Sequence, residues 1–168
     1  MSNDKIIIRP ANIEDAGEYL QLVEALARYE QLPPPDAEAK ARLIEHLFGP
    51  RPHYRLLVAE NDGHLVAYAA HFLAYSTFAA RPTFYLEDLF VLPEFRHLKI
   101  GHRMMVTCAR LAVAQNCGRM DFIVLDWNKL ALDFYERHGV AVRREWLLHR
   151  VDQDGLAKLA ALPASFSS

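Results

Sequence analysis

The stretch EDLFVLPEFRHLKIGHRMM, residues 87–105, gathers the groups best suited to chemistry. Two carboxylates, Glu87 and Asp88, stand at the mouth of an apolar run. Beyond Pro93 the chain turns basic, with Arg96 and Lys99, and with His97 and Arg103 close by, before a helix opens near Gly101. A helix start presents backbone N–H groups that have no intrahelical partner, and its dipole adds partial positive charge. Cations beside such a terminus suit a phosphate or pyrophosphate. A solvated basic loop with a capping glycine accounts for the same residues equally well from this stretch alone. Lys99 stands where such a turn would welcome a second glycine.

A strand, a loop and a helix must meet there, and the rest of the chain supplies the frame. KIIIRPA reads as a strand ending at Pro10. NIEDAGEYLQLVEALARYE reads as a helix capped by Asn12, with Leu20, Val23, Leu26 and Ala27 on one face. DAEAKARLIEHLF is a second helix, from the cap Asp36 to the stop at Gly49 and Pro50. YRLLVAE and HLVAYAAHFLAYS read as strands joined by Asn61, Asp62 and Gly63, a hairpin turn. PTFYLEDLFVL is a further strand, stopped by Pro93. There follow a long helix over 100–116, a strand RMDFIVLD, and a helix NKLALDFYERHG capped by Asn128 and stopped by Gly139. A last strand WLLHRV and a short helix DGLAKLA close the order. A hairpin series followed by β-α-β units predicts an α/β fold of mixed α+β type, its mixed sheet flanked by helices on both faces. No repeat or linker divides the chain, so residues 1–168 are expected to form one domain, with the tail at 163–168 frayed.

Bulk composition narrows the classes. Hydrophobic residues at 52% and charged residues at 24% describe an ordinary soluble globule. A net charge of -2 argues against a nucleic-acid surface, which needs a basic excess. Cys108 and Cys117 form no CxxC pair, and the eight histidines show no HExxH or comparable metal spacing, so no metal is expected. Both thiols read as reduced, in a cytoplasmic protein. The start MSNDKIIIRP has no signal-peptide h-region, and LVAYAAHFLAY is too short to span a bilayer, so no membrane role is expected. There is no GxSxG elbow, and Cys108 falls in mid-helix, which disfavours a serine or thiol hydrolase.

YLEDLFVLPEFRHLKIG resembles the acetyl-CoA-binding motif of the GNAT superfamily of N-acetyltransferases, with Arg96 and Gly101 matching its ends and Lys99 replacing a usual glycine. LDWNKLALDFYERHGV is similar to that family's next signature. IRPA, EALARYE, YRLLVAE, YLEDLFV, DWN and FYERHG resemble, in order, their counterparts in the spermidine/spermine (diamine, thialysine-type) N-acetyltransferases. The resemblance implies the GNAT fold, with a twisted, mostly antiparallel central sheet, and acetyl-CoA as co-substrate. It assigns the cofactor to Arg96, His97, Leu98, Lys99, Ile100, Gly101 and His102, to the amides of Leu89, Phe90 and Val91, and to Asn128 and Ala131. Lys99 either narrows the approach of the pyrophosphate or supplies charge to it directly.

Moving an acetyl group from a thioester to an amine makes three demands. The amine must lose its proton, the oxyanion needs donors, and the departing thiolate is helped by an acid. The resemblance gives the base role to Glu87, acting through water, with Asp88 as its substitute, the oxyanion donors to the amides of Leu89, Phe90 and Val91, and the acid role to Tyr135. Taken on its residues alone, Tyr135 reads as one more core aromatic beside Phe134. For the acceptor, the resemblance points to Tyr29, Glu30, Glu87 and Asp88. Asp121, Asp126 and Trp127 could add charge or an aromatic face for a cation. Arg143 and Arg144 replace acids expected for a polyamine, so a shorter diamine or a lysine- or thialysine-like amine fits as well. The family usually forms homodimers. The competing expectation is an acyl-CoA-binding module without turnover, which would have no use for an acid at Tyr135.

Overall fold

The protein is described by a computed structural model over residues 6–164. Lys5, expected in the first strand, and residues 165–168 of the expected frayed tail lie outside the described residues. The chain divides into two compact units, one running to Ile123 and the other from Val124 onward.

The first unit is built on a five-stranded sheet in sequential order: β1 (Ile6–Pro10), β2 (Arg55–Asn61), β3 (His64–Ser76), β4 (Arg81–Val91) and β5 (Arg119–Asp121). The first three pairings are antiparallel and β4 to β5 is parallel, the mixed, mostly antiparallel sheet expected from the motifs. β2 and β3 are joined by the expected tight turn. Asp62 and Gly63 both adopt left-handed backbone, with φ of 51° and 85°, the geometry whose twist matches a hairpin.

Helix α1 (Ala16–Tyr29) begins after a single 3-10 turn at Ile13–Asp15. Asn12 accepts from the Glu14 amide while Asp15 accepts from the Asn12 amide, so the start is capped reciprocally. Arg9 of β1 donates twice to Asp15, at 2.7 and 2.8 Å, and ties the helix start to the sheet. The face α1 buries carries Tyr19 and Leu22, with Val23 and Leu26 of the expected stripe packed against the same core. Helix α2 (Ala37–Phe48) is capped by Asp36 as expected. Both helices cover one side of the sheet, where Tyr19, Leu22, Leu47, Leu56, Val58, Tyr68, Ala70 and Phe90 form a continuous core. Period-two alternation sends Leu57, Ala59, Ala67 and Ala69 to the other side. Helix α3 (Ile100–Ala114) covers that side with the fully buried Ile100, Met104 and Cys108.

The second unit contains α4 (Lys129–Arg137) and α5 (Gln153–Ala160). Two expectations are corrected. RMDFIVLD is strand only over Arg119–Asp121, because the parallel ladder ends where Tyr85 pairs with Asp121, just before β4 becomes irregular. WLLHRV, residues 146–151, forms no strand. Its apolar residues have strand propensity but no ladder partner among the described residues, and Trp146 and Leu147 are 73% and 76% exposed. No helix is long and apolar enough to cross a membrane among the described residues.

Candidate functional site

The irregularity in β4 falls on the acids. Opposite β3 the register runs from Ala70 and Asp88 directly to His71 and Leu86, so Glu87 is an extra residue, a β-bulge. The alternation that would send Glu87 and Asp88 to opposite faces is interrupted at this point. Glu87 is exposed, and Asp88 is half-buried. The Asp88 carboxylate accepts from the buried Tyr68 hydroxyl at 3.2 Å. Its pKa is pushed up to about 6, first by burial and then by the neighbouring charge of Glu87, with Glu30 adding to the effect and the Tyr68 hydrogen bond opposing it. Glu30, at the end of α1, is itself raised by burial. Two expected acceptor-site carboxyls, Glu87 and Glu30, therefore act on a third, Asp88. None of them forms an ion pair among the described residues.

Beyond the bulge, β4 has β3 on one edge only. β5 pairs with Thr83, Phe84 and Tyr85 and with nothing further along. The edge of β4 that carries Leu89, Phe90 and Val91 on its far half thus has no strand beside it among the described residues. Sequence could not show this unpartnered edge, which is set by where β5 ends.

The loop after β4 is a 3-10 segment, Pro93–Leu98, leading into α3. Lys99 joins the two in left-handed backbone, φ 56° and ψ 24°, a conformation open to glycine at no cost. The expectation of a glycine-like turn is met by a lysine held in glycine's conformation. Its side chain is exposed, and the first turn of α3 has no side-chain cap and no acid. Buried Leu98 and Ile100 anchor the turn from either side, while His97 and His102 are exposed and Gly101 is half-buried. Arg96 is engaged otherwise. Its Nε donates to the Val91 carbonyl at 3.0 Å, and its guanidinium lies 4.8 Å from the Tyr29 ring centre and 6.0 Å from that of Phe90. Arg96 thus braces the expected cofactor loop against Tyr29, an expected acceptor residue.

In the second unit Asn128 caps α4, its side chain accepting from the Ala131 amide at 3.2 Å. Gly139, with φ 72°, ends the helix as expected. Tyr135 is half-buried on α4, edge-on to Phe134 with ring centres 5.2 Å apart. Asp126 and Trp127 are exposed just ahead of that helix. In the first unit Asp121 is paired with Arg119 at 2.9 Å on the same strand, which neutralises its expected charge. Arg143 is likewise paired, with Glu145 at 3.0 Å.

The structure adds Tyr68 and the bulge to the residues singled out from sequence. Tyr68 carried a usable signal. A tyrosine in mid-strand among alanines must bury its hydroxyl, and a buried hydroxyl requires a polar partner.

Comparison with known proteins bears on the same segments. The Acetyltransferase (GNAT) family profile matches residues 19–140. A thialysine N-epsilon-acetyltransferase of Bos taurus is 33% identical over 166 residues, covering 92% of this chain and 97% of its own. The spermidine/spermine N(1)-acetyltransferase-like protein 1 of Homo sapiens is 30% identical, over 95% of this chain but 24% of its own length. Among solved structures, an integron cassette protein from V. cholerae superposes with a TM-score of 0.83, covering 94% of this chain and 99% of its own, at 23% identity, a likeness of fold alone.

Proposed function

The chain belongs to the Acetyltransferase (GNAT) family, and from that premise we propose that it transfers an acetyl group from acetyl-CoA to a primary amine of a small cationic acceptor. A diamine, a polyamine or a lysine- or thialysine-like amine meets that description. The observation that carries the reading is the acid cluster of Glu30, Glu87 and Asp88 beside the unpaired edge of β4. A cation is drawn to uncompensated carboxylates. A carboxyl with a pKa of about 6 holds a proton more firmly than an ordinary one while staying mostly ionised near neutral pH.

In the proposed reaction the ammonium gives its proton to the Glu87–Asp88 pair, with Glu87 as the base acting through water. The freed nitrogen lone pair attacks the acetyl carbonyl carbon. Backbone amides of Leu89, Phe90 and Val91 receive the developing oxyanion. The C–S bond then breaks, Tyr135 gives its proton to the departing thiolate, and the second proton leaving the nitrogen restores the phenol as the amide forms. The start of α3, with Lys99, holds the pyrophosphate, and Asn128 and Ala131 hold the pantetheine side. Tyr29 and Glu30 guide the acceptor. The whole chain acts as one acetyltransferase domain, which agrees with a family match running across residues 19–140. It works in the cytoplasm as a homodimer without metal.

Thiol release from acetyl-CoA, measured across a panel of diamines, polyamines, lysine and thialysine, tests the reading. Release with at least one of these amines is expected. Silence on all of them, together with tight acetyl-CoA binding, would overturn the reading in favour of a binding module.

A further inference from the structure

We infer that Tyr68 is a positioning residue for the transfer: its buried hydroxyl holds the Asp88 carboxylate and so governs how readily the Glu87–Asp88 pair takes up the amine proton. This rests on the functional reading given above.

Tyr68 lies in the middle of β3 and is fully buried. Its ring is fixed between Tyr19, edge-on at 5.3 Å, and Phe90 at 6.2 Å, so the hydroxyl has little freedom to turn elsewhere. Asp88 stands opposite Ala70, and Tyr68 stands opposite Phe90. Tyr68 is therefore the diagonal neighbour of Asp88 on the same face of the sheet, within reach of a long side chain. The small side chain of Ala70 leaves the space across which the phenol reaches, and the contact closes at 3.2 Å.

The other phenols nearby are committed elsewhere. Tyr54 donates to the Leu43 carbonyl at 2.9 Å, so in the 3.2 Å contact between Tyr19 and Tyr54 it is Tyr19 that donates. Tyr68 is left as the phenol that serves Asp88. The charged groups around Asp88 are Glu87 on its own strand and Glu30 from the end of α1, and both disfavour its ionised form, as does burial. Arg96, the cation of the adjoining loop, is turned to the Val91 carbonyl and the Tyr29 and Phe90 rings. The Tyr68 hydrogen bond thus favours the carboxylate against three opposing influences. Glu87 adjoins Asp88 on the strand, so the charge on Asp88 is part of the surroundings in which Glu87 meets the amine.

Tyr68→Phe removes one oxygen and keeps the ring that the core needs. Without the donor Asp88 should hold its proton more tightly. The acid limb of kcat/KM against pH, measured with the best amine of the panel, should move to higher pH by about half a unit to one unit. The carboxyl carbon of Asp88, followed by NMR in protein without substrates, should shift its titration the same way. In an Asp88→Asn background, adding Tyr68→Phe should leave the pH profile where it was. A Tyr68→Phe protein whose acid limb and carbon titration coincide with those of the parent would overturn the inference. So would an equal shift in the Asp88→Asn background, which would assign the effect to packing. If the parent acetylates no amine, the functional reading fails, and the carbon titration still decides whether Tyr68 governs Asp88.

Discussion

Replacing Asp88 with Asn separates the charge of this side chain from its shape. Asn keeps an oxygen for the Tyr68 hydroxyl and fills nearly the same volume, but it cannot ionise. In the folded protein Asp88 has a pKa of about 6 against an ordinary value of 3.8. The folded state therefore holds the proton more firmly than the unfolded chain does. Below about pH 4 both states carry it, and the group is neutral in its effect relative to Asn. As pH rises from about 4 to about 6 the unfolded chain ionises freely and the folded one resists, so stability is lost across that window. At 1.36 kcal/mol per pH unit the gap corresponds to about 3 kcal/mol, an upper bound because a half-buried carboxylate keeps some of its water. Asp88→Asn should thus be more stable than the parent at pH 8 by up to about 3 kcal/mol, or ~5–10 °C in Tm, and equal to it at pH 4. Urea unfolding of both proteins from pH 4 to pH 8 at constant ionic strength measures this directly. A difference that is the same at both ends of the range, or a variant weaker than the parent at pH 8, would refute the claim that burial and neighbouring charge hold Asp88 against ionisation. Acetyl transfer should fall in the same variant, since a group strained for function is commonly released by the substitution that stabilises the fold.

Three further outcomes are expected. Tyr135→Phe should cut turnover tenfold or more and leave acetyl-CoA binding unchanged, which single-turnover thiol release and calorimetry separate; unchanged turnover would remove its role as acid. Lys99→Gly should raise stability by about 1 kcal/mol, because it relieves a side chain held at φ 56°, while acetyl-CoA affinity stays within roughly tenfold. A hundredfold gain in that affinity would mean the lysine obstructs the site. Arg9→Met should cost about 3 kcal/mol at pH 7, because it strands the buried Asp15. Arg9 holds the Asp15 pKa below its ordinary 3.8, so that loss should shrink as pH falls below about 4, as urea midpoints at pH 7 and pH 3 would show.

What the sequence made legible were features settled by neighbours along the chain. Asn61, Asp62 and Gly63 predict a turn because Gly, Asn and Asp tolerate left-handed backbone, and the two central residues of the turn adopt it. Asn12, Asp36 and Asn128 predict helix starts because their short side chains reach amides two or three residues on, and all three do so. Lys99 was conspicuous for the same reason, and its backbone takes the glycine conformation. What stayed hidden depends on partners distant in sequence. WLLHRV has the composition of a strand but no ladder to join, and RMDFIVLD loses its partner after Asp121. The expected opposition of Glu87 and Asp88 assumed unbroken alternation, and the break is set by how β4 registers against β3. The basic loop singles out Arg96, but its packing against rings from α1 and β4 depends on residues distant in sequence.

The extra residue in β4 also means that odd and even positions exchange meaning midway along the strand. Ahead of it Phe84 and Leu86 share a face with His71, on the α3 side. Past it Asp88 and Phe90 share a face with Tyr68, on the α1 side. Excising Glu87 would subtract the acid and straighten the strand, yet Leu86 would stay opposite His71 and Asp88 opposite Ala70, so the pairing on both sides would stand. Any attempt to retune acceptor choice along this strand must therefore count positions from the bulge, in opposite senses on its two sides.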